Sequence, residues 1–166
     1  MADPKHLVRT PALKAEDATR IRHPLNPNSE VYLHSLGDRV GMQRMQLHLA
    51  RLKPGKESFI PHAHGLQEEF IYILEGEGKA LLGDVEVTVG PGDYMGFPTD
   101  GVVHHLRNDG PGDLVYLMGG ERTTFEVSRF PTIGKRAVFD GQTATFYDEA
   151  TAQPLSIGAW RPADKD

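Results

Sequence analysis

Cysteine is absent from this 166-residue chain. Its absence excludes disulfides, thiolate metal sites and cysteine nucleophiles together, so any metal must be held by nitrogen and oxygen. Long hydrophobic runs are also missing. None is longer than the run from Phe70 to Leu74, far short of a bilayer span, so no membrane association is expected. The opening "MADPKHLVRT" has no apolar signal-peptide core, which reads as an intracellular, cytoplasmic protein. No basic run is long enough to follow a phosphate backbone, and the net charge is -5, so nucleic acid is not an expected partner. Between Glu30 and Gly120 no stretch carries a sustained helical period.

Glycine and proline are plentiful. Eighteen Gly and twelve Pro are spread along the chain instead of clustering in one linker, a distribution that suits short strands joined by tight turns. Residues 1–28 read as an N-terminal arm. Its "RHPLNPNSE" (Arg22 to Glu30) has no periodicity, and "LKAEDATR" (Leu13 to Arg20) has room for a helical turn or two. Residues 29–120 hold a succession of short β-type segments bounded by Gly, Asp or Pro, which predicts an all-β sandwich or small barrel. Residues 121–166 are less regular. They carry Phe125, Phe130, Phe139, Phe146, Tyr147 and Trp160, too apolar for a free tail, and are expected to pack on the barrel or on a second subunit.

The chemistry gathers in "HAHGLQEEFIYILEG", His62 to Gly76. On a strand, positions i and i+2 face the same way, so His62 and His64 aim their imidazoles at one point. The turn through "GLQEE" delivers Glu68 or Glu69 at the start of the next strand. A carboxylate beside two imidazoles completes three corners of a metal site. "GDYMGFPTDGVVHHLRN" offers a further nitrogen from His104 or His105. Taken singly, a His-x-His pair is more often a hydrogen-bonded surface pair, and two adjacent glutamates are usually a solvated edge. Their combination with a third histidine is what points to a metal.

These spacings resemble the two motifs of the cupin superfamily. The first runs Gly, five residues, His-x-His, three or four residues, Glu, six residues, Gly; here it is met by Gly55, His62, His64, Glu69 and Gly76. The second runs Gly, five residues, Pro-x-Gly, two residues, His, three residues, Asn; here it is met by Gly92, Pro98, Gly101, His104 and Asn108. The chain departs twice, with six residues between Gly55 and His62 and two between Pro98 and Gly101, both in turns before the ligands. The resemblance covers about residues 40–120. It implies a double-stranded β-helix, or jelly-roll barrel, and a metal held by His62, His64, Glu69 and His104. The ion would be divalent Mn, Fe, Ni, Co or Zn, since the ligand set does not choose among them. His105 has the opposite strand parity to His104, so it and Glu68 are left at the rim.

The lining of the pocket depends on the register of "MQRMQLHLARL" (Met42 to Leu52). With Leu52 inward, Arg44, Gln46 and His48 face the site and Met45, Leu47 and Leu49 face outward. With the register reversed, the apolar three fill the core, and that is the commoner arrangement for such a pattern. Arg44, Gln46 and His105 are candidate pocket residues; Glu68, His48 and Tyr72 are candidate acid or base groups. The resemblance implies an enzyme acting on a small oxygen-rich anionic metabolite (a sugar, sugar phosphate or small carboxylate) by isomerisation, decarboxylation or oxygenation. The alternative is a non-catalytic barrel that binds or senses a small molecule. A homodimer is expected, with Ser29 to Gly37 adding to the contact through "VYLHSL"; the competing expectation pairs that segment within its own barrel.

Overall fold

The computed structural model describes residues 4–156, so Trp160 lies outside the described residues. The strands are β1 (Thr19–Ile21), β2 (Val31–Ser35), β3 (Met45–Leu52), β4 (Ala63–His64), β5 (Glu69–Glu75), β6 (Gly78–Leu82), β7 (Val85–Val89), β8 (Tyr94–Phe97), β9 (His104–Arg107), β10 (Leu114–Glu121), β11 (Phe125–Phe130), β12 (Lys135–Asp140) and β13 (Thr143–Asp148). A single helical turn, α1 (Leu36–Arg39), follows β2. The chain is all-β, with antiparallel strands in a jelly-roll arrangement.

Two layers face each other. One is a six-stranded sheet in the order β1-β2-β3-β10-β5-β8. The other is built from β7-β6-β9 and β13-β12-β11-β4. The segment before β4 joins these two pieces, because Glu57 bridges Arg107 and His62 bridges His104. Alternate residues of each strand meet between the layers: Leu33, Ala50, Leu52, Ile71, Ile73, Met95, Leu106, Leu114, Tyr116 and Met118 form the core. This burial follows from the period of two along a strand and is the main source of stability, at about 25 cal/mol per Å² of apolar surface removed from water. A second cluster, Ile60, Phe130 and Ala137 with Ile133, Phe139 and Phe146 against it, seals the far end.

Leu52 and Ala50 are completely buried. The register of β3 is therefore the one that turns Gln46 and His48 inward, and Met45, Leu47 and Leu49 face outward on the six-stranded sheet. The commoner pattern loses here because Ala50 and Leu52 already occupy the core positions nearest the turn, and a strand cannot slip by one without moving them out. The "VYLHSL" segment pairs inside its own sheet, Val31 opposite Leu52 and Ile21 opposite Val31. Pairing within its own barrel is thus observed, with a neighbour on each edge of β2. Within Leu13 to Arg20 a short 3-10 turn at Ala15–Asp17 gives way to β1.

Candidate metal centre

The site is made by a backbone bridge and a change of layer. His62 donates its N–H to the His104 carbonyl at 3.2 Å, and His104 returns the bond at 2.8 Å. That pairing sets two imidazoles side by side, with ring centroids 4.4 Å apart. His64, two residues on, points to the same face, 4.9 Å from the His62 ring. Glu69 arrives from the opposite layer at the first position of β5, aligned with Phe97 of β8 and Gly120 of β10. A Cβ on Gly120 would sit 2.2 Å from the Glu68 carbonyl oxygen, so only glycine lets β10 approach closely enough to seat this corner. The strand alternation that turns Ile71 and Ile73 into the core carries Glu69 inward as well and leaves Glu68 exposed.

One donor atom from each of His62, His64, Glu69 and His104 lies within 4.8 Å of the others. Glu69 Oε2 is 3.1 Å from His64 Nε2 and 3.2 Å from His104 Nε2. Donors about 2.1 Å from one ion stand roughly 3.0 Å apart in an octahedron and roughly 3.4 Å in a tetrahedron, so these edges fit a bound divalent metal. The outer ring nitrogens are held too. His62 Nδ1–H donates to the Ile60 carbonyl at 2.7 Å and His104 Nδ1–H to the Val102 carbonyl at 3.4 Å, which turns both Nε2 lone pairs inward. His64 Nδ1 faces Glu126 Oε1 at 3.5 Å and the Gln67 side-chain amide at 3.2 Å. Phe97 stacks on the His104 ring at 3.8 Å, and Phe130 on the His62 ring at 5.8 Å.

The electrostatics suit cation binding. Burial, with His104 and His64 nearby, pushes the His62 imidazole down to about 3, so it is neutral and able to coordinate. Burial alone would raise Glu69, but hydrogen bonds to His104 and His64 outweigh it and hold the carboxyl well below its usual range. Burial also opposes charge on His64, yet the hydrogen bond and charge of Glu69, with Glu126 behind it, raise its pKa. A buried carboxylate surrounded by imidazole nitrogens is an environment that suits a bound cation.

The donors His62, His64 and Glu69 open into a cavity of about 660 Å³. Gln46 and His48 line it, as do Glu126 and Ser128 of β11. Its mouth is formed by Ile21, Arg22, His23 and Pro24, and Phe59, Phe130, Phe139 and Phe146 cover it. The other candidates lie elsewhere. Arg44 is exposed and meets the neighbouring segment through its backbone carbonyl, which accepts from Arg122 N–H. Glu68 is exposed and lines a second cavity of about 350 Å³ with Met45 and Tyr94, which Glu69 also borders. Tyr72 alternates out to the exposed face of the six-stranded sheet. His105 turns away from His104, its Nε2 3.6 Å from Glu57 Oε2. Arg44, Tyr72 and His105 are thus outside the cavity, the last two because of strand parity and Arg44 because it precedes β3.

Glu126 is the group the sequence reading missed. Its carboxylate accepts from Gly65 N–H at 2.7 Å and Leu66 N–H at 3.1 Å, tying down the turn between His64 and Glu69. The available signal was the alternation of "FEVSRF", in which Glu126, Ser128 and Phe130 share the buried face of β11.

A two-layer β-barrel whose facing strands gather three histidines and one glutamate is a metal-centre barrel of the cupin class. A family model described as "Cupin domain" matches residues 48–120. A crystal structure from Acidithiobacillus ferrooxidans, provisionally named a sugar phosphate isomerase, is 34% identical over 92% of this chain and 97% of that one, with a TM-score of 0.85. A sugar phosphate isomerase structure of the cupin superfamily from Silicibacter pomeroyi is 25% identical over 89% and 98%, with a TM-score of 0.74. The polyketide cyclase RemF of Streptomyces resistomycificus, 24% identical over 66% and 77% with a TM-score of 0.54, shares the fold alone. No curated protein is significantly similar to the chain. The chain belongs to the cupin superfamily.

Proposed function

We propose that this cupin is a metal-dependent enzyme that moves a proton on a small oxygen-rich anionic metabolite, with isomerisation of a sugar or sugar phosphate as the leading reaction. The observation that carries this reading is a four-donor cluster, three of whose members, His62, His64 and Glu69, line a cavity that a further histidine, His48, also lines. His62, His64, Glu69 and His104 would hold a divalent Mn, Fe, Ni, Co or Zn ion, which when bound supplies Lewis acidity to a ligand oxygen. Isomerisation needs a base that breaks a C–H bond beside the carbonyl, leaves the electron pair with the ligand, and gives a proton to the former carbonyl carbon, while the hydroxyl proton moves to the former carbonyl oxygen. His48 takes that role, because burial lowers its imidazole below the ordinary histidine value despite the opposing charge of Asp38 and keeps it neutral. Two cupin relatives bearing sugar phosphate isomerase names support the choice of reaction.

A specific feature favours a second ligand. Phe59, Phe130, Phe139 and Phe146 make much of the cavity lining apolar, and Arg22, the arginine at the mouth, is already paired with Glu30. A small carboxylate with a hydrocarbon body matches that lining better than a phosphate does. The test is metal analysis of protein purified without a chelating tag, followed by incubation with sugar phosphates and small carboxylates in D₂O. Metal near one per chain, and deuterium entering the carbon beside the carbonyl, are expected; His48→Gln should slow the exchange by roughly 10²–10⁴-fold. Exchange with carboxylates alone would select the second ligand. Exchange with neither class would overturn the catalytic reading and leave a binding barrel.

The enzyme is proposed to work in the cytoplasm, where such metabolites are made, and as a homodimer. Met45, Tyr72, Leu74 and Tyr94 are exposed on the outer face of the six-stranded sheet, beside the half-buried Leu47 and Leu117. An apolar sheet face of this kind marks an association surface. Residues Thr10, Leu13, Ala15 and Ala18 of the arm lie over its β2 end. Light scattering should return twice the 18.3 kDa chain mass, and Tyr72→Lys with Leu74→Lys should return the monomer. A wild-type monomer would remove the dimer.

A further inference from the structure

His48 does not stand alone. It lies directly opposite Ser35 across the β2–β3 pairing, so their side chains meet on the same face. Ser35 Oγ is 3.1 Å from His48 Nδ1 and 2.7 Å from Asp38 Oδ2. Asp38, on the turn α1, also pairs with Arg122, just after β10. These contacts leave one arrangement of protons. The hydrogen bond from Ser35 and then that from Arg122 hold the Asp38 carboxyl below its usual range, so Asp38 is an acceptor only. A carboxylate oxygen 2.7 Å from a hydroxyl oxygen requires the hydroxyl proton between them. Ser35 has a single proton, so once it is given to Asp38 its oxygen can only accept from His48. The proton of the neutral His48 ring is therefore on Nδ1. Nε2 carries a lone pair, and no hydrogen-bonding partner for it is found among the described residues, while the ring lines the cavity.

We infer that Ser35 and Asp38 are positioning residues, which lock His48 as its Nδ1–H tautomer and keep Nε2 as a free base on the cavity wall. This rests on the reading of His48 as the proton-transferring group given above. The array orders a proton cycle that balances. Nε2 accepts a proton from the ligand carbon, and the resulting imidazolium keeps its Nδ1–H bond to Ser35 and gains from the nearby Asp38 charge. Nε2, its proton exchanging with solvent, then gives a proton to the adjacent carbon while the ligand's hydroxyl proton passes to the former carbonyl oxygen, and the ring ends neutral as it began. The charged groups acting on His48 are Asp38, Arg122 and Glu69. Asp38 and Arg122 stand half in solvent, so the outer end of the array is hydrated while the inner end faces the cavity.

The tautomer can be read without a substrate. In ¹⁵N-labelled full-length protein, with and without zinc, two-bond ¹H–¹⁵N correlations of the imidazoles report which nitrogen carries the proton, and His48→Gln identifies the His48 signals. The expected result is a protonated Nδ1 and an unprotonated Nε2 in the wild type. Ser35→Ala and Asp38→Ala should each move the population towards Nε2–H, the first by removing the acceptor and the second by freeing the Ser35 hydroxyl to donate inward. Ser35→Thr, which keeps the hydroxyl, should retain the wild-type pattern. A wild-type ring protonated on Nε2 would overturn the inference, as would an unchanged tautomer in both alanine variants. Failure of the catalytic reading has a different signature: the expected tautomer, with ligand exchange undiminished in His48→Gln.

Discussion

At the scale of single residues, the centre depends on which of two neighbours turns inward. Glu69 and Glu68 are chemically alike, as are His104 and His105, and strand parity separates each pair. The inward members meet; Glu68 is left exposed and His105 turns to Glu57. Removing an inward member should therefore act on metal and not on folding. His62→Ala, His104→Ala and Glu69→Gln are each expected to lose metal affinity by more than the ~10–100-fold that loss of an outer partner costs, with the β-sheet circular dichroism retained. Glu68→Gln should keep metal near the wild-type level. Equal losses in Glu68→Gln and Glu69→Gln, measured by metal analysis after dialysis, would show that parity does not choose the ligand. Asn108, the last residue of the second motif, acts differently. It is wholly buried, donating to the Leu52 and Gly112 carbonyls at 2.9 and 2.8 Å and accepting from Gly110 N–H, so its role is to fasten the loop between β9 and β10.

At the scale of elements, β1 is the piece held by charge. Arg20 and Arg22 both donate to Glu30 Oε2, Arg22 Nη2 at 2.7 Å, and Tyr32 donates to Oε1 at 3.0 Å. This clamp fastens the strand that carries Ile21 and Arg22 to the cavity mouth. The hydrogen bonds of Arg20 and then Arg22 lower the Glu30 carboxyl from 4.5 to about 2. A carboxyl depressed in the folded state contributes stability that is present above its unfolded value and lost as pH falls through its folded value. The clamp is thus complete above about pH 4.5 and fades between there and about pH 2. Glu30→Gln should be less stable than the wild type at pH 7, and the gap should narrow across that window. Urea unfolding at a series of pH values checks it, and a gap that does not change with pH would rule the clamp out. The same strand shows why elements are hard to read singly. Nothing in "ATRI" marks a strand, and β1 exists because the β2 edge offers unpaired backbone groups to it.

At the scale of the molecule, the centre joins two layers: three histidines come from one and Glu69 from the other. A metal held there would link the sheets across the cavity, so its removal is felt by both. The sequence alone determined the all-β class, the absence of sulfur ligands, and the four candidate donors, because strand periodicity and motif spacing are local along the chain and survive without a structure. It did not determine the register of residues 42–52, since an alternation of polar and apolar residues reads equally well in either sense until the opposite layer supplies a face to bury. Tertiary structure decided that, through Ala50 and Leu52, and with it the inward turn of Gln46 and His48. It also placed Glu126 behind His64 and against Leu66, 60 residues earlier than Glu126, brought the arm and the tail to the mouth of the cavity, and set Ser35 and Asp38 behind His48. Each of these is a long-range pairing chosen by burial and hydrogen bonding between segments distant in the chain, and no local pattern carries that information.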